Sequence, residues 1–110
     1  AHSNNLEEMM EELLDFDRTA GAVLDWASKH PGTLVVITAD HNTGAFALTG
    51  GSREQGEITG RFGSGSHDGV AVPVYAFGAG SGDFTGIYEN TDIFNKIMNA
   101  FKKGADKPVR

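Results

Sequence analysis

Four histidines and no cysteine set the chemistry open to this chain of 110 residues. Any metal it holds must be bound by imidazole and carboxylate, because no thiolate is available for a zinc site, a nucleophile or a disulfide. His41 follows Asp40 at the end of the apolar run TLVVIT (33–38), and Asn42-Thr43-Gly44 then turn the chain. Ligands of open α/β sheets bind at the carboxyl ends of strands, which places this Asp-His pair for a site. The competing reading has Asp40 capping the turn, with His41 exposed beside it. His67 lies in GSGSHDG, whose glycines allow close backbone approach to a ligand; on its own it is better explained as an incidental histidine of a surface loop. His2, just before a helix, belongs on its own to a terminus. His30 precedes Pro31 at a helix exit, where an imidazole interacts with the helix dipole and serves structure. Together Asp40, His41, His67 and His2 supply both kinds of ligand a zinc site needs, and the remaining ligands have to come from outside the chain.

The elements that must position these residues are legible in part. From Asn5 to Lys29, Leu6, Met10, Leu13, Ala20, Leu24 and Ala27 recur at helical spacing, with Asn5 and Glu8 as a variant capping box. Asp15-Phe16-Asp17 suggests a break into two shorter helices, and His30-Pro31-Gly32 ends the segment. Thr33 to Thr38 is apolar and β-branched without alternation, the pattern of a strand buried on both faces of a parallel sheet. AFALT (45–49) and EITGR (57–61), joined by GGSREQG, read as a hairpin. Val70 to Phe77 (VAVPVYAF) is a second buried strand, limited by Pro73 and closed by Gly78. Gly78 to Gly82 reads as a connecting loop, since it has neither a GxGxxG nor a Walker pattern and leads to no immediate helix. The last helix is capped by Asn90 or Thr91, gathers Ile93, Phe94, Ile97, Met98 and Phe101 on one face, and ends with Lys102-Lys103 before Gly104. The order α-β-(ββ)-β-α predicts an α/β fold. Segment 50–65, rich in Gly, Ser, Glu and Arg, is expected to be mobile.

Composition removes several function classes. Nine Lys and Arg against 15 Asp and Glu give a net charge of −6, so no basic field attracts nucleic-acid phosphates or an anionic membrane. No apolar run reaches the ~20 residues of a membrane span. No serine sits in a G-x-S-x-G elbow. Ala1, without an initiator Met or a basic-then-apolar leader, reads as an internal point of a longer protein.

Five segments together are similar to the C-terminal part of the alkaline phosphatases: HSNN (2–5), LDFDRTAGAVLDWA (14–27), TLVVITADHNTG (33–44), SHDGVAVPVYAFG (66–78) and FTGIYENTDIFNKIM (84–98). The strand ending in Ala-Asp-His, the later isolated His before a strand, and the Glu-Asn-Thr helix start follow the family's order. The resemblance implies a three-layer α/β/α fold with a mostly parallel central sheet and an inserted β-hairpin. Residues 1–110 would then be a single, incomplete C-terminal segment of that domain. It also implies hydrolysis of phosphate monoesters through a phosphoserine, with two zinc ions and usually one magnesium.

Carried onto this sequence, Asp40 and His41 resemble ligands of the zinc that activates the serine. His2 and His67 resemble ligands of the zinc that serves the leaving oxygen and then water. The family's Asp-Ser-Ala nucleophile turn, its first zinc aspartate, the Asp a few residues before His2, the magnesium carboxylates and the phosphate-binding arginine have no match here. The resemblance therefore implies that they lie in the N-terminal part of the same protein, the principal partner of this segment, and that the segment alone is inactive. It implies a periplasmic or extracellular setting and leaves room for a homodimer. Two alternatives stand beside it: a phosphodiesterase or sulfatase of the same superfamily, and a non-catalytic α/β binding module with incidental histidines.

Overall fold

The computed structural model describes residues 2–105. In chain order these form α1 (Leu6–Ser28), β1 (Leu34–Ile37), β2 (Asn42–Thr43), β3 (Ala47–Ser52), β4 (Glu57–Arg61), β5 (His67–Asp68), β6 (Tyr75–Gly78), a 3-10 turn (Ser81–Phe84) and α2 (Asp92–Ala105). They divide into two compact units, Ala1–Asp17 with Ala39–Val72 and Arg18–Thr38 with Pro73–Arg110.

α1 begins where its cap requires. The Asn5 side-chain oxygen accepts from the amides of Glu7 (3.0 Å) and Glu8 (3.2 Å), satisfying two of the unpaired donors at a helix start. The capping box is half made, because the Glu8 carboxylate accepts from the Ser3 hydroxyl at 2.7 Å. The helix continues through Asp15-Phe16-Asp17, against the expected break. None of these residues is Pro or Gly, and the weaker helix propensity of Asp and Phe costs less than about 1 kcal/mol per residue.

In the first unit, β3 and β4 form the expected antiparallel hairpin, pairing Ala47 with Arg61 and Ser52 with Glu57, with an irregularity between Leu48 and Gly50. β3 starts later than the sequence suggests because Ala45 has φ 44°, outside the extended region. Most of segment 50–65, expected to be mobile, lies in this hairpin, where cross-strand hydrogen bonds hold its backbone. Two elements escaped the sequence: the two-residue strands β2 and β5, which pair Asn42 with Asp68 and Thr43 with His67. Such short pieces leave no periodic pattern to read.

In the second unit, α1 ends as foreseen at His30-Pro31-Gly32. The His30 ring stacks on Trp26 with centroids 3.8 Å apart, and its Nδ1 lies 2.7 Å from the Trp26 carbonyl. That carbonyl, which also accepts the Lys29 amide at 3.1 Å, belongs to the last turn, and these contacts tie His30 to the helix exit, where its position suggested a structural role.

β1 pairs with β6 in antiparallel register, Leu34 opposite Gly78 and Ile37 opposite Tyr75. The partner of β1 is thus antiparallel, as in all three described strand pairs, and the mostly parallel sheet is not among them. The missing alternation of TLVVIT reports cover on both faces, whereas strand direction is set by the connection. A parallel return needs a crossover, usually helical, and no helix lies between β1 and β6.

Gly78 has φ 93°, and a Cβ placed there would overlap the Thr33 carbonyl. Gly78→Ala is therefore expected to lower stability by about 1–3 kcal/mol through left-handed backbone strain, with further loss from the overlap. A lower midpoint of urea unfolding is the measurement; an unchanged midpoint contradicts it.

The loop after Gly78 corrects a second expectation by closing into the 3-10 turn, preceded by Gly80 at φ 80°. Ala27 and Phe84 are the buried apolar side chains among the described residues, while Trp26, Ile87, Phe94 and Phe101 remain exposed. Of the expected apolar face of α2, Ile93 and Ile97 are half-buried.

Candidate metal centre

All four candidate ligands fall in the first unit. Two contacts bring the segments carrying His2 and His67 together. Asn4, held at φ 50°, donates from its side-chain nitrogen to the Ser64 carbonyl at 2.8 Å. Gly44, buried at φ 77°, donates its amide to the Ser66 carbonyl (3.0 Å) and accepts from the amides of Gly63 (2.9 Å) and Ser64 (3.1 Å). A Cβ on Gly44 would stand 2.9 Å from the Phe62 ring and 3.0 Å from the Asn4 side-chain oxygen. Only glycine allows the loop before His67 to close this tightly on the turn after His41.

The imidazoles cluster as a result. The His41 and His67 rings stack with centroids 3.6 Å apart, and His2 lies 4.9 Å from His67 and 6.5 Å from His41. Two donor pairs stand out: His41 Nε2 is 3.2 Å from Asp40 Oδ2, and His2 Nε2 is 3.3 Å from His67 Nε2. Asp40 also accepts the His41 amide at 3.0 Å, which holds the carboxylate beside the ring. Among the described residues no three His, Asp or Glu side chains converge into one metal-holding group, so each pair stands as a pair.

The chemistry of the pairs suits cations. His41 Nδ1 lies 3.3 Å from the Asn42 carbonyl and 3.2 Å from the Thr43 hydroxyl. Where Nδ1–H is donated to that carbonyl, Nε2 offers its lone pair on the Asp40 side, where a cation can bridge the two; where Nδ1 instead accepts from the Thr43 hydroxyl, Nε2–H donates to the carboxylate. The two imidazoles that meet at Nε2 can share a hydrogen bond, one as donor and the other as acceptor, and through the same atoms they can present lone pairs to a cation. Ligand bonds of about 2.0–2.1 Å in tetrahedral zinc geometry set neighbouring donors about 3.3 Å apart. Both pairs match that separation.

Sequence reasoning missed Asp68. Its carboxylate accepts from the Asn42 side chain at both oxygens (3.0 Å each), from the Val70 amide (3.0 Å) and from the Ala45 amide (3.1 Å). The signal available was an acid beside His67 between glycines, where a carboxylate collects backbone amides. The Asn42 hydrogen bond and then the Val70 amide, with lesser help from the Ala45 amide and nearby His41, hold Asp68 below the usual carboxylate range against an opposing desolvation. A depressed carboxylate contributes its stabilisation above its unfolded value and loses it as pH falls through the folded one. Exchange protection at Ala45 and Val70, taken relative to an unstructured amide at the same pH, should persist while exposed carboxylates titrate and fall only at lower pH. Loss of protection within the ordinary carboxylate range contradicts this.

An apolar cleft of about 660 Å³ adjoins His41, walled by Met9, Met10 and Phe46 among others.

Residues 1–61 match the family model for alkaline phosphatase. The chain belongs to the alkaline phosphatase family. It is 32% identical to the streptomycin-6-phosphate phosphatase of Streptomyces griseus, in a match covering 91% of this chain and 26% of that protein. The alkaline phosphatase of the Antarctic bacterium TAB5 superposes with a TM-score of 0.83 at 40% identity, covering 92% of this chain and 31% of that one. A TAB5 variant with magnesium bound in its M3 site gives 0.82 at 39% identity, covering 92% and 32%. The fold is thus α/β and alkaline phosphatase-like, and the chain spans about a quarter to a third of the length of these relatives. No helix among the described residues is long and apolar enough to cross a membrane.

Proposed function

We propose that this chain is the C-terminal segment of a secreted or periplasmic alkaline phosphatase that hydrolyses phosphate monoesters at a two-zinc centre. In this reading Asp40 and His41 hold one zinc, and His2 and His67 hold the other. The observation that carries it is the pair of donor sets, 3.2 and 3.3 Å across, brought together by Asn4 and Gly44. When bound, paired divalent cations stabilise the entering and leaving oxygens of an in-line displacement at phosphorus and lower the pKa of water. The Asn42 carbonyl beside Nδ1 suits the tautomer that leaves His41 Nε2 open to a metal, and Asp40 adds the negative charge that favours a cation at its side. The apolar cleft beside His41 offers a surface for the organic part of the ester.

Each pair supplies two of the four ligands of a tetrahedral site, so the rest come from the remainder of the protein. The magnesium carboxylates and the serine nucleophile are assigned there too. Exposed Trp26, Phe94 and Phe101 supply apolar surface for that remainder to cover, and the parallel strands of the sheet are assigned to it. The experiment is metal analysis of the complete protein with turnover of a chromogenic aryl phosphate. Two zinc ions per chain, activity abolished by a chelator and regained with zinc, are expected; full activity in zinc-free protein contradicts the reading.

A further inference from the structure

β2 and β5 form a ladder of two residue pairs, too short to fix a geometry by itself, and Gly44 and Gly69 adjoin it. Yet this ladder sets the distance between the donor pairs, because His41 immediately precedes β2 and His67 opens β5. The carboxylate of Asp68 crosses it. One oxygen accepts from the Asn42 side chain and the Val70 amide, the other from Asn42 and the Ala45 amide, each at 3.0–3.1 Å. Three backbone segments are thereby tied to one rigid planar group: the residue after His41, the turn at Ala45, and the exit from β5. Side chains alternate along a strand, so Asp68 works on the face opposite His67 and is not itself a ligand. On the other strand, Thr43 pairs with His67 in register and its hydroxyl lies 3.2 Å from His41 Nδ1.

We propose that Asp68, acting through Asn42 and the Ala45 and Val70 amides, is a positioning residue that fixes the separation of the Asp40–His41 and His2–His67 donor pairs. This rests on the two-zinc reading above. Its chemistry requires a carboxylate: four incoming N–H contacts need an acceptor without donors of its own, and an asparagine would turn its NH₂ toward a backbone amide. Outer groups that orient metal ligands typically contribute 10- to 100-fold in metal affinity.

The test is zinc affinity of the complete protein, by competition with a chromophoric chelator, for wild type, Asp68→Asn, Asn42→Ala and the double variant. Positioning predicts a loss of about 10- to 100-fold in each single variant, and a double variant no weaker than the weaker single. Asn42→Ala is decisive because it leaves the carboxylate charge in place and cuts only the side-chain link. If Asp68→Asn weakens zinc while Asn42→Ala binds as wild type does, the effect is one of charge and the proposal fails. Additive losses, or wild-type affinity in both singles, also overturn it. Wild-type protein that binds no zinc removes the two-zinc reading and this proposal together, so the two failures are told apart. Asp68→Asn is nearly isosteric; should it unfold, the Asn42→Ala arm alone decides, since that variant keeps both amide contacts to Asp68.

Discussion

His67→Ala in the complete protein is expected to bind one zinc ion tightly instead of two and to lose about 100- to 1,000-fold in turnover, the scale on which removing one electrostatic stabiliser of a transition state acts. The two donor pairs give this prediction its shape. His67 Nε2 meets His2 Nε2 at 3.3 Å, so losing His67 leaves His2 as a single imidazole from this chain. The Asp40–His41 pair keeps its own contacts, the carboxylate on the His41 amide and Nδ1 near the Asn42 carbonyl. His41→Ala should therefore impair a different step. Rapid-quench measurements are expected to show slowed formation of the phosphoenzyme in His41→Ala. In His67→Ala they should show slowed hydrolysis of it, partly recovered by added zinc, provided leaving-group departure is not slowed further. Two tightly bound zinc ions and unchanged kinetics in His67→Ala would take His67 out of the site. Identical kinetic defects in both variants would remove the division of labour while leaving the metal centre.

How much of this was legible beforehand differs by element, for physical reasons. Helical periodicity found α1 and α2 because each spans several turns, and Asn5 announced its cap. The hairpin was visible from turn residues between two β-branched runs. Strand direction was not, since the cover on Leu34–Ile37 that removes alternation can come from either kind of neighbour. The candidate ligands were legible as residue types, with no cysteine to compete, and as pieces of a family pattern. Their joining was not. It depends on Gly44 accepting the loop at Gly63 and Ser64, on Asn4 reaching 60 positions along the chain to Ser64, and on Asp68 collecting amides from three segments. Contacts of that kind have no periodicity, and each is made by a residue ordinary in a loop.

Alone, this chain is expected to turn over no phosphate monoester even in excess zinc, whereas adding the separately produced remainder of the protein restores turnover. Covalent phosphoryl transfer needs an activated nucleophile, meaning a hydroxyl within hydrogen-bond reach of a base or metal. The serine contacts in this chain lead elsewhere. Ser3 donates to Glu8 at 2.7 Å, Ser28 to the Asp25 carbonyl at 2.8 Å and Ser64 to the Ser66 carbonyl at 3.3 Å, while Ser52 accepts the Gln55 amide at 3.2 Å. None of these contacts reaches an imidazole. On the two-zinc reading the donor pairs are also half sites, and two ligands hold a cation far more weakly than four. Exposed apolar side chains from Trp26 to Phe101 give the remainder a surface to bury, at about 25 cal/mol per Å² of apolar area removed from water. Steady-state assays with a chromogenic aryl phosphate, on the chain alone and after mixing, are the measurement. Turnover by the purified chain that disappears in His67→Ala would show a complete site within these residues and overturn the division assigned here. Mixing that restores nothing, with both parts folded, would count against the remainder supplying the other half of the site.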